Sequence, residues 1–512
     1  MYLLLFVLVA LPLSLILFHL YAFCGKKGRM TNKLPGPPCL PVIGNLHLLN
    51  VNLVRMAQLL DEWADRYYPV YRLWVGSKAV IHIRHPDDCE TLLMSSKHLN
   101  KEFGYEHFYP WMKRGLLTSD AGKWHERRKI LTPAFHFNIL KKYLEITNEQ
   151  GEALISNMMS QGNETEQDLL PFCSAHTLNI ICESAMGVAL DDKKNEELSV
   201  KYKDAVYKMG DFIIERMMRP YIRDWMVPFL PFMGKVYKET LKNLDSFSDK
   251  IIVERRKYHQ STEFQGFEDQ LQNDSSENAY MGMKKKRLAM LDLLLLAEKD
   301  GSIDEEGIRE EVATFVFEGH DTTAMAMLFT IMLLAENQDA QNRARNEVEG
   351  ILDQVGGKPE MNDLQHFVYL ERCIKESLRM FPSVPMIGRK MVEDLRFKNF
   401  MAPKGSHLVM HINHVHRDPE FWPEPEKFDP DRFLPERSQG RHPFAYLPFS
   451  AGFRNCIGQK FAMMELKSSI AQILYNFELH PVDFTHDVVI KSDVVLRPSH
   501  SVRTRFVKID RK

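Results

Sequence analysis

No two cysteines of the 512-residue sequence stand at a spacing that a disulfide framework or a zinc site would use. The seven present, Cys24, Cys39, Cys89, Cys173, Cys182, Cys373 and Cys456, are scattered and odd in number, which fits free thiols in a reducing compartment. Charge of one sign is also missing. The formal net charge is −2, so nothing global argues for nucleic acid as a partner. There is no internal repeat, no Gly/Ser-rich linker, no Gly-x-Gly-x-x-Gly and no Gly-x-Ser-x-Gly, so dinucleotide-fold and serine-hydrolase readings have no support. What remains is length and apolar residues. At 45% hydrophobic, the chain can bury a large core, read as one catalytic body behind an apolar leading segment.

Tyr2 to Cys24 carries no formal charge and reaches the roughly 20 apolar residues that a membrane helix needs. A cleaved signal would want a basic start and a shorter apolar run, and neither is present. Lys26, Lys27, Arg29 and Lys33 follow, and positive flanks stay cytosolic. Residues 2–24 are therefore expected to be a retained membrane anchor with the body in the cytosol. Residues 25–45, basic and then proline-rich through Leu34-Pro35-Gly36-Pro37-Pro38, read as a stiff spacer, and residues 46–512 as the catalytic domain. Within that domain Val70–Leu73 and Ala79–Ile83 predict a β-hairpin around Gly76-Ser77. Tyr143 to Met283 is helical and uninformative: Met217, Met218, Trp225, Met226 and Phe229 form an oily stretch that is core, channel roof or bilayer contact. Gln260 to Lys286 is polar and reads as a surface loop. Leu496 to Ile509 reads as a terminal β-hairpin with its tip near the active site.

Three constellations carry chemistry. The first is Phe449-Ser450-Ala451-Gly452-Phe453-Arg454-Asn455-Cys456-Ile457-Gly458, which runs into a helical stretch from Gln459 to Leu474. A cysteine at a helix entrance has backbone N–H groups and the helix dipole favouring thiolate, which lowers its pKa and suits it to a metal. Gly452 and Gly458 are expected to let backbone approach the sulfur, and Arg454 to meet an anion beside the metal. The alternative is a buried structural cysteine. Lacking a zinc ligand set, the pattern points to haem iron with one axial thiolate and an open face.

The second is Glu318-Gly319-His320-Asp321-Thr322-Thr323 inside an apolar helix predicted over Ile308–Glu336. Polar residues in a buried helix are costly and cluster at functional sites. Asp321 and Thr322 are expected to relay protons during oxygen chemistry, although a mid-helix threonine can equally bond the carbonyl one turn back. Gly319 is expected to clear a path for a flat ligand or dioxygen. The third is Trp124 and Arg128, four apart on one helix face and able to reach one carboxylate, with Lys123, Arg127 and Lys129 offering charge to an acidic electron donor. Glu376 and Arg379 pair at i, i+3. His411, His414 and His416 lack an obvious acidic fourth ligand, and no zinc site is expected there.

Phe-x-x-Gly-x-Arg-x-Cys-x-Gly resembles the haem-ligand loop of the cytochrome P450 family, and the likeness runs from about residue 34 to 509 with several motifs in order. Phe317-Glu-Gly-His-Asp-Thr-Thr resembles the signature of the fourth P450 family, the fatty-acid ω-hydroxylase group and its insect relatives. The resemblance implies a mainly α fold with small β-sheets (α+β) and haem b ligated by Cys456. It makes Phe449, Gly452, Arg454 and Gly458 the ligand loop, and Trp124, Arg128 and Arg389 propionate contacts. It also implies an ester from Glu318 to a haem methyl, and a buried Glu376-Arg379-Arg432 set. The implied activity is insertion of one oxygen atom of O2 into C–H bonds of lipophilic substrates such as fatty acids, fatty alcohols, terpenoid hormones or xenobiotics. Electrons would come from NADPH through a reductase, with cytochrome b5 as a further partner, at the endoplasmic reticulum membrane. Ala313 and Phe453 depart from the usual Asp and Pro of these motifs, at positions that ligate nothing. A haem-thiolate isomerase or dehydratase and a membrane-held haem sensor are the competing readings; neither needs the Asp321-Thr322 pair.

Overall fold

The computed structural model describes residues 2–190, 193–222, 225–231, 233–261 and 289–510. Its axis is the helix Glu305–Glu336, apolar almost all round and buried almost all round, as such a pattern requires. Asp304 starts it by accepting the Gly307 N–H at 2.8 Å, and Glu305 and Glu306 complement the dipole in the first turn. At 32 residues it spans about 48 Å. The segment Glu318–Thr323 continues it without a break. Against it lies Leu169–Ser184, close enough that a Cβ on Gly319 would stand 2.6 Å from Ile181 Cδ1. That contact, rather than a ligand's path alone, is what demands glycine at 319.

The expected hairpin forms: Val70–Val75 and Lys78–Ile83 are antiparallel around Gly76-Ser77. His407–His411 joins Lys78–Ile83 in parallel, and Met386–Lys390 closes the four-stranded sheet antiparallel to it. This sheet carries Arg389 to the interior. The carboxyl end differs from expectation. Arg497–Pro498 pairs with Ile490–Lys491, while Arg503–Lys508 lies between Glu164–Asp168 and Phe477–Pro481. Leu496 to Ile509 is therefore no hairpin, because its two halves find partners in different sheets.

The leading segment also departs from the expected form. An α-helix covers Tyr2–His19 with Pro12 inside it, and Leu20–Cys24 continues as a π-helical turn. Eighteen α-helical residues reach about 27 Å, short of the roughly 30 Å of a bilayer's hydrocarbon core. Among the described residues no helix is long and apolar enough to cross a membrane. The turn that ends the helix docks on the body: Phe23 packs 4.4 Å from the fully buried Trp74, and Asn32 accepts from Trp74 Nε1 at 2.9 Å. The proline stretch is fastened as well, since Asn45 Nδ2 donates to the Pro38 carbonyl at 2.8 Å while its Oδ1 accepts the Trp74 N–H.

The oily stretch divides. Met218 is core, whereas Trp225 and Phe229 are 71% and 80% exposed, so one hydropathy signal covered two environments. Of the expected loop Gln260–Lys286, Gln260 and Ser261 instead finish the helix Met233–Ser261, and the rest lies outside the described residues.

Candidate active site

Between the long helix and the loop before Gln459–Asn476 lies an interior cavity of about 230 Å³. Cys456, Glu318, Gly319 and Thr322 all face it. Its apolar walls come from Leu116, Leu117, Phe315, Ala326, Val384 and Ile387. The Cys456 thiol is open to this space yet enclosed by the protein, and burial pushes its pKa up to about 11. The expected lowering is overturned. The N–H groups of Gly458 and Gln459 do favour thiolate, but desolvation outweighs them until a cation sits on the sulfur.

The loop glycines play different parts from those expected. Gly452 has φ +69°, and a Cβ there would lie 2.0 Å from the Leu93 carbonyl oxygen, so glycine is required by the backbone beneath the loop. A Cβ on Gly458 would stand 4.0 Å from the sulfur, an ordinary contact. Phe449 accepts the Cys456 N–H through its carbonyl at 3.0 Å and closes the loop. Arg128 donates to the Asn455 carbonyl and to its Oδ1 at 2.8 and 3.0 Å, bracing the residue next to the ligand. Arg454 ties the loop to the segment 99–119 through the carbonyls of Leu99, Leu116 and Ser119, and its guanidinium stands 5.1 Å over the Trp124 ring.

Charge decides what the cavity accepts. Lys101, Arg128, Arg389 and Arg454 line it, and among the described residues Glu318 is the only carboxylate that does. Burial lowers the pKa of Lys101 well below the ordinary range, and crowding by Arg389 and Arg454 adds to it. Burial pushes Arg454 down to about 9 and raises Glu318 to about 7. Unpaired buried cations are expensive, so the wall calls for added negative charge. Haem, with two propionates and an iron for the thiolate, fits that demand, and Arg389, which donates one N–H to the Gly388 carbonyl at 3.0 Å, has further donors to offer. Lys101 was missed in the sequence. Asn100-Lys101-Glu102 matches no motif, and only the fold brings it to the cavity. Lys101→Met is expected to speed haem transfer to an acceptor apoprotein about tenfold, the worth of one charge-assisted bond, with Lys101→Arg close to the parent.

Other expected roles are redistributed. Lys123 binds Glu310, and the buried Arg127 lies 3.7 Å from both Glu310 and Glu311, so these two cations are consumed inside the protein and only Lys129 of that run is free for a partner. Thr322 Oγ1 donates to the Glu318 carbonyl at 2.7 Å, the local bond open to any helical threonine. Asp321 turns away from the cavity and accepts from Arg497 Nη2 at 2.9 and 2.7 Å. The structure thus separates the carboxylate from the hydroxyl expected to work with it.

Glu376, Arg379 and Arg432 do come together, fully buried. Arg379 forks onto both Glu376 oxygens at 2.8 and 2.9 Å, and Arg432 Nε reaches the same carboxylate at 3.1 Å. Arg379 also donates to the His416 carbonyl, and His416 Nε2 accepts the Leu447 N–H, which leads into the cysteine loop. His411 meets His82 at 2.9 Å and Tyr71 at 3.2 Å, and His414 meets Asp61 at 3.2 Å, so the three histidines serve separate partners.

The sequence is similar to known proteins along almost its whole length. The Cytochrome P450 family profile matches residues 34–504. "Cytochrome P450 4c3" of Drosophila melanogaster is 37% identical over 510 residues, 97% of this chain and 94% of that one. "Cytochrome P450 4V2" of Homo sapiens is 37% identical over 478 residues, covering 92% and 88% of the two chains. "Cytochrome P450 4c21" of Blattella germanica is 36% identical over 493 residues, 96% of each.

Proposed function

The chain belongs to the cytochrome P450 family and is a haem-thiolate monooxygenase, and from that premise we propose that it hydroxylates lipophilic chains, fatty acids first among them, at or near the chain end. The observation that carries this reading is the Cys456 thiol opening into an apolar cavity shared with Gly319 and Thr322. When bound, the haem supplies the redox chemistry that divides dioxygen between substrate and water. The chain does the rest. Cys456 would hold the haem iron through its sulfur, and Lys101, Arg389 and Arg454 would neutralise the propionates. Leu116, Leu117, Phe315, Val384 and Ile387 exclude water and align an extended hydrocarbon. Thr322 holds a hydroxyl proton at the cavity wall. Fatty alcohols, terpenoid hormones and xenobiotics share the chemistry this wall selects.

Glu318 is the candidate for a haem ester. Its carboxyl faces the cavity, and burial raises its pKa to about 7. Acidic organic extraction is expected to leave part of the haem on the polypeptide, and Glu318→Ala to release all of it. Complete release from the parent protein would remove the tether from the reading.

Electrons are read as coming from NADPH through a flavoprotein reductase, with cytochrome b5 as a second donor. Lys129 and Lys460 remain exposed on the helix that carries Arg128 and on the one that follows Cys456. The residues from Val9 to Tyr21 include seven large apolar side chains at least half exposed, which supports membrane attachment through this segment; the endoplasmic reticulum, with the body cytosolic, is the membrane we propose. Extraction with carbonate should leave the protein with the membrane.

The reduced carbon-monoxide spectrum followed by turnover of fatty acids of graded length tests the whole reading. A thiolate spectrum with products oxidised at the terminal carbons is expected; conversion of pre-oxidised substrates without reductase would sink it in favour of an isomerase. Thr322→Ala is expected to lower product formed per NADPH consumed, with kcat down about 100-fold and KM unchanged.

A further inference from the structure

The segment 113–119 leaves the short helix Tyr109–Met112 and carries Leu116 and Leu117 into the wall of the reaction cavity. Two adjacent carboxylates fasten its backbone to the central helix. Glu310 Oε1 accepts the Arg114 N–H and Glu311 Oε2 accepts the Leu116 N–H, each at 3.0 Å. Glu311 stands one turn before Phe315 and two before Glu318 on the same helix face, so the bond is made where the stripe of cavity-lining residues begins. Gly115, between the two bonded amides, lies so close to the helix that a Cβ would come 2.3 Å from Thr314 Oγ1 and 2.7 Å from the Glu310 carbonyl oxygen.

The two carboxylates differ in what else they serve. Glu310 also binds Lys123. Glu311 is fully buried, its Oε1 has no hydrogen bond, and Arg127 Nε stands 3.7 Å from it. A carboxyl set that deep is costly, and among the described residues its hydrogen bond goes to Leu116. The backbone it restrains is strained as well. Lys113 has φ +47° and ψ −122°, in a turn closed by the Gly115 N–H donating to the Met112 carbonyl at 3.2 Å. That conformation favours glycine, and a lysine keeps it only where its surroundings impose it. Arg454 donates to the Leu116 carbonyl, so Leu116 is held at both of its backbone groups.

We propose that Glu311 is a positioning residue for regioselectivity: by holding the Leu116 N–H it fixes Leu116 and Leu117 against the substrate's hydrocarbon, and so sets which carbon of the chain is presented for oxidation. Glu311 does not line the cavity and acts only through the segment it holds. Without its oxygen the Leu116 N–H is left buried and unpaired, Lys113 is free to relax toward an allowed conformation, and the two leucines lose their fixed place. The cavity then admits a chain at more than one depth. The inference rests on the fatty-acid hydroxylase reading, which supplies the chain whose depth is set.

Glu311→Met keeps the side chain's length and removes the acceptor, whereas Glu311→Gln keeps both. In hydrogen exchange on the haem-loaded protein, the Leu116 amide should exchange about tenfold faster in the Met variant, the worth of one hydrogen bond, and at the parent's rate in the Gln variant. In turnover of fatty acids, Glu311→Met should move the ratio of chain-end to in-chain products severalfold toward the interior and raise KM, with haem content and the reduced carbon-monoxide spectrum as in the parent. Glu311→Gln should restore the parent's ratio, which a merely structural loss of packing would not require. Gly115→Ala lifts the same segment off the helix with Glu311 intact and should broaden the products in the same way. A Met variant with the parent's ratio overturns the proposal. If Glu311→Met fails to accumulate, Gly115→Ala decides alone, and the parent's ratio from it is equally fatal. A parent that oxidises no fatty acid removes the hydroxylase reading and the regioselectivity with it, whereas a parent with chain-end products and variants with the same ratio removes only the role of Glu311.

Discussion

Cys456→Ser is expected to yield protein without the thiolate spectrum, with little bound haem and turnover lower by at least about 100-fold, the effect that changes merely behind a ligand already reach. The substitution changes one atom. The loop around it is held by contacts that do not involve the sulfur, including the Cys456 N–H on the Phe449 carbonyl, Arg128 on Asn455 and Arg454 on three carbonyls. Folding should therefore survive, and circular dichroism should match the parent. The ligand does not survive. Burial already holds the thiol neutral until a cation meets it, and a serine hydroxyl is a far weaker acid and a harder donor in the same enclosed place. Haem content per polypeptide and the reduced carbon-monoxide spectrum give the measurement. Undiminished hydroxylation by the variant would refute the assignment of Cys456 and everything built on it.

How much of this site could be read from the chain depends on how local its causes are. The cysteine loop was legible because its chemistry is written in ten adjacent residues, and the helix of Glu318 and Thr322 because polar residues in an apolar run stand out. The reasons behind individual residues were less accessible. Gly452 answers to the carbonyl of Leu93, and Gly319 to the side chain of Ile181, contacts between segments far apart in sequence. Lys123 and Arg127 looked like a solvated basic run because their partners, Glu310 and Glu311, lie nearly two hundred residues away. Lys101 carried no signal at all. Asp321 was read as half of a pair with its neighbour Thr322, yet adjacent residues on a helix face different ways, and the carboxylate went to Arg497 instead. In the leading segment hydropathy measured the length of the apolar run but not where its α-helix stops. His19 stacks on Phe23, and Phe23, in the turn after it, packs on Trp74.

Arg379→Ala carries the largest expected cost to stability. Arg379 and Glu376 are fully buried, and the alanine variant would leave the Glu376 carboxylate with one guanidinium, Arg432, where it now has two. Breaking such a pair by removing one partner costs about 3–5 kcal/mol, a large share of the roughly 5–15 kcal/mol by which a folded protein is stable. The loss also propagates. The carbonyls of His416 and Lys427 lose a donor, and His416, which accepts the Leu447 N–H and stacks on Tyr446, loses its brace two residues before the cysteine loop begins at Phe449. The variant should accumulate poorly and, where it folds, lack the thiolate spectrum. Arg379→Lys should not rescue it, because an ammonium cannot fork onto both oxygens and reach two carbonyls as well. Arg343→Ala supplies the contrast. Its partner Asp431 keeps Arg372, and its own side chain is 54% exposed, so about 0–1 kcal/mol is at stake and the spectrum should be normal. If both alanine variants unfold at the parent's temperature with the parent's spectrum, the buried Glu376 set does not hold the loop, and Cys456 must be positioned by Arg128, Arg454 and the Phe449 carbonyl without it.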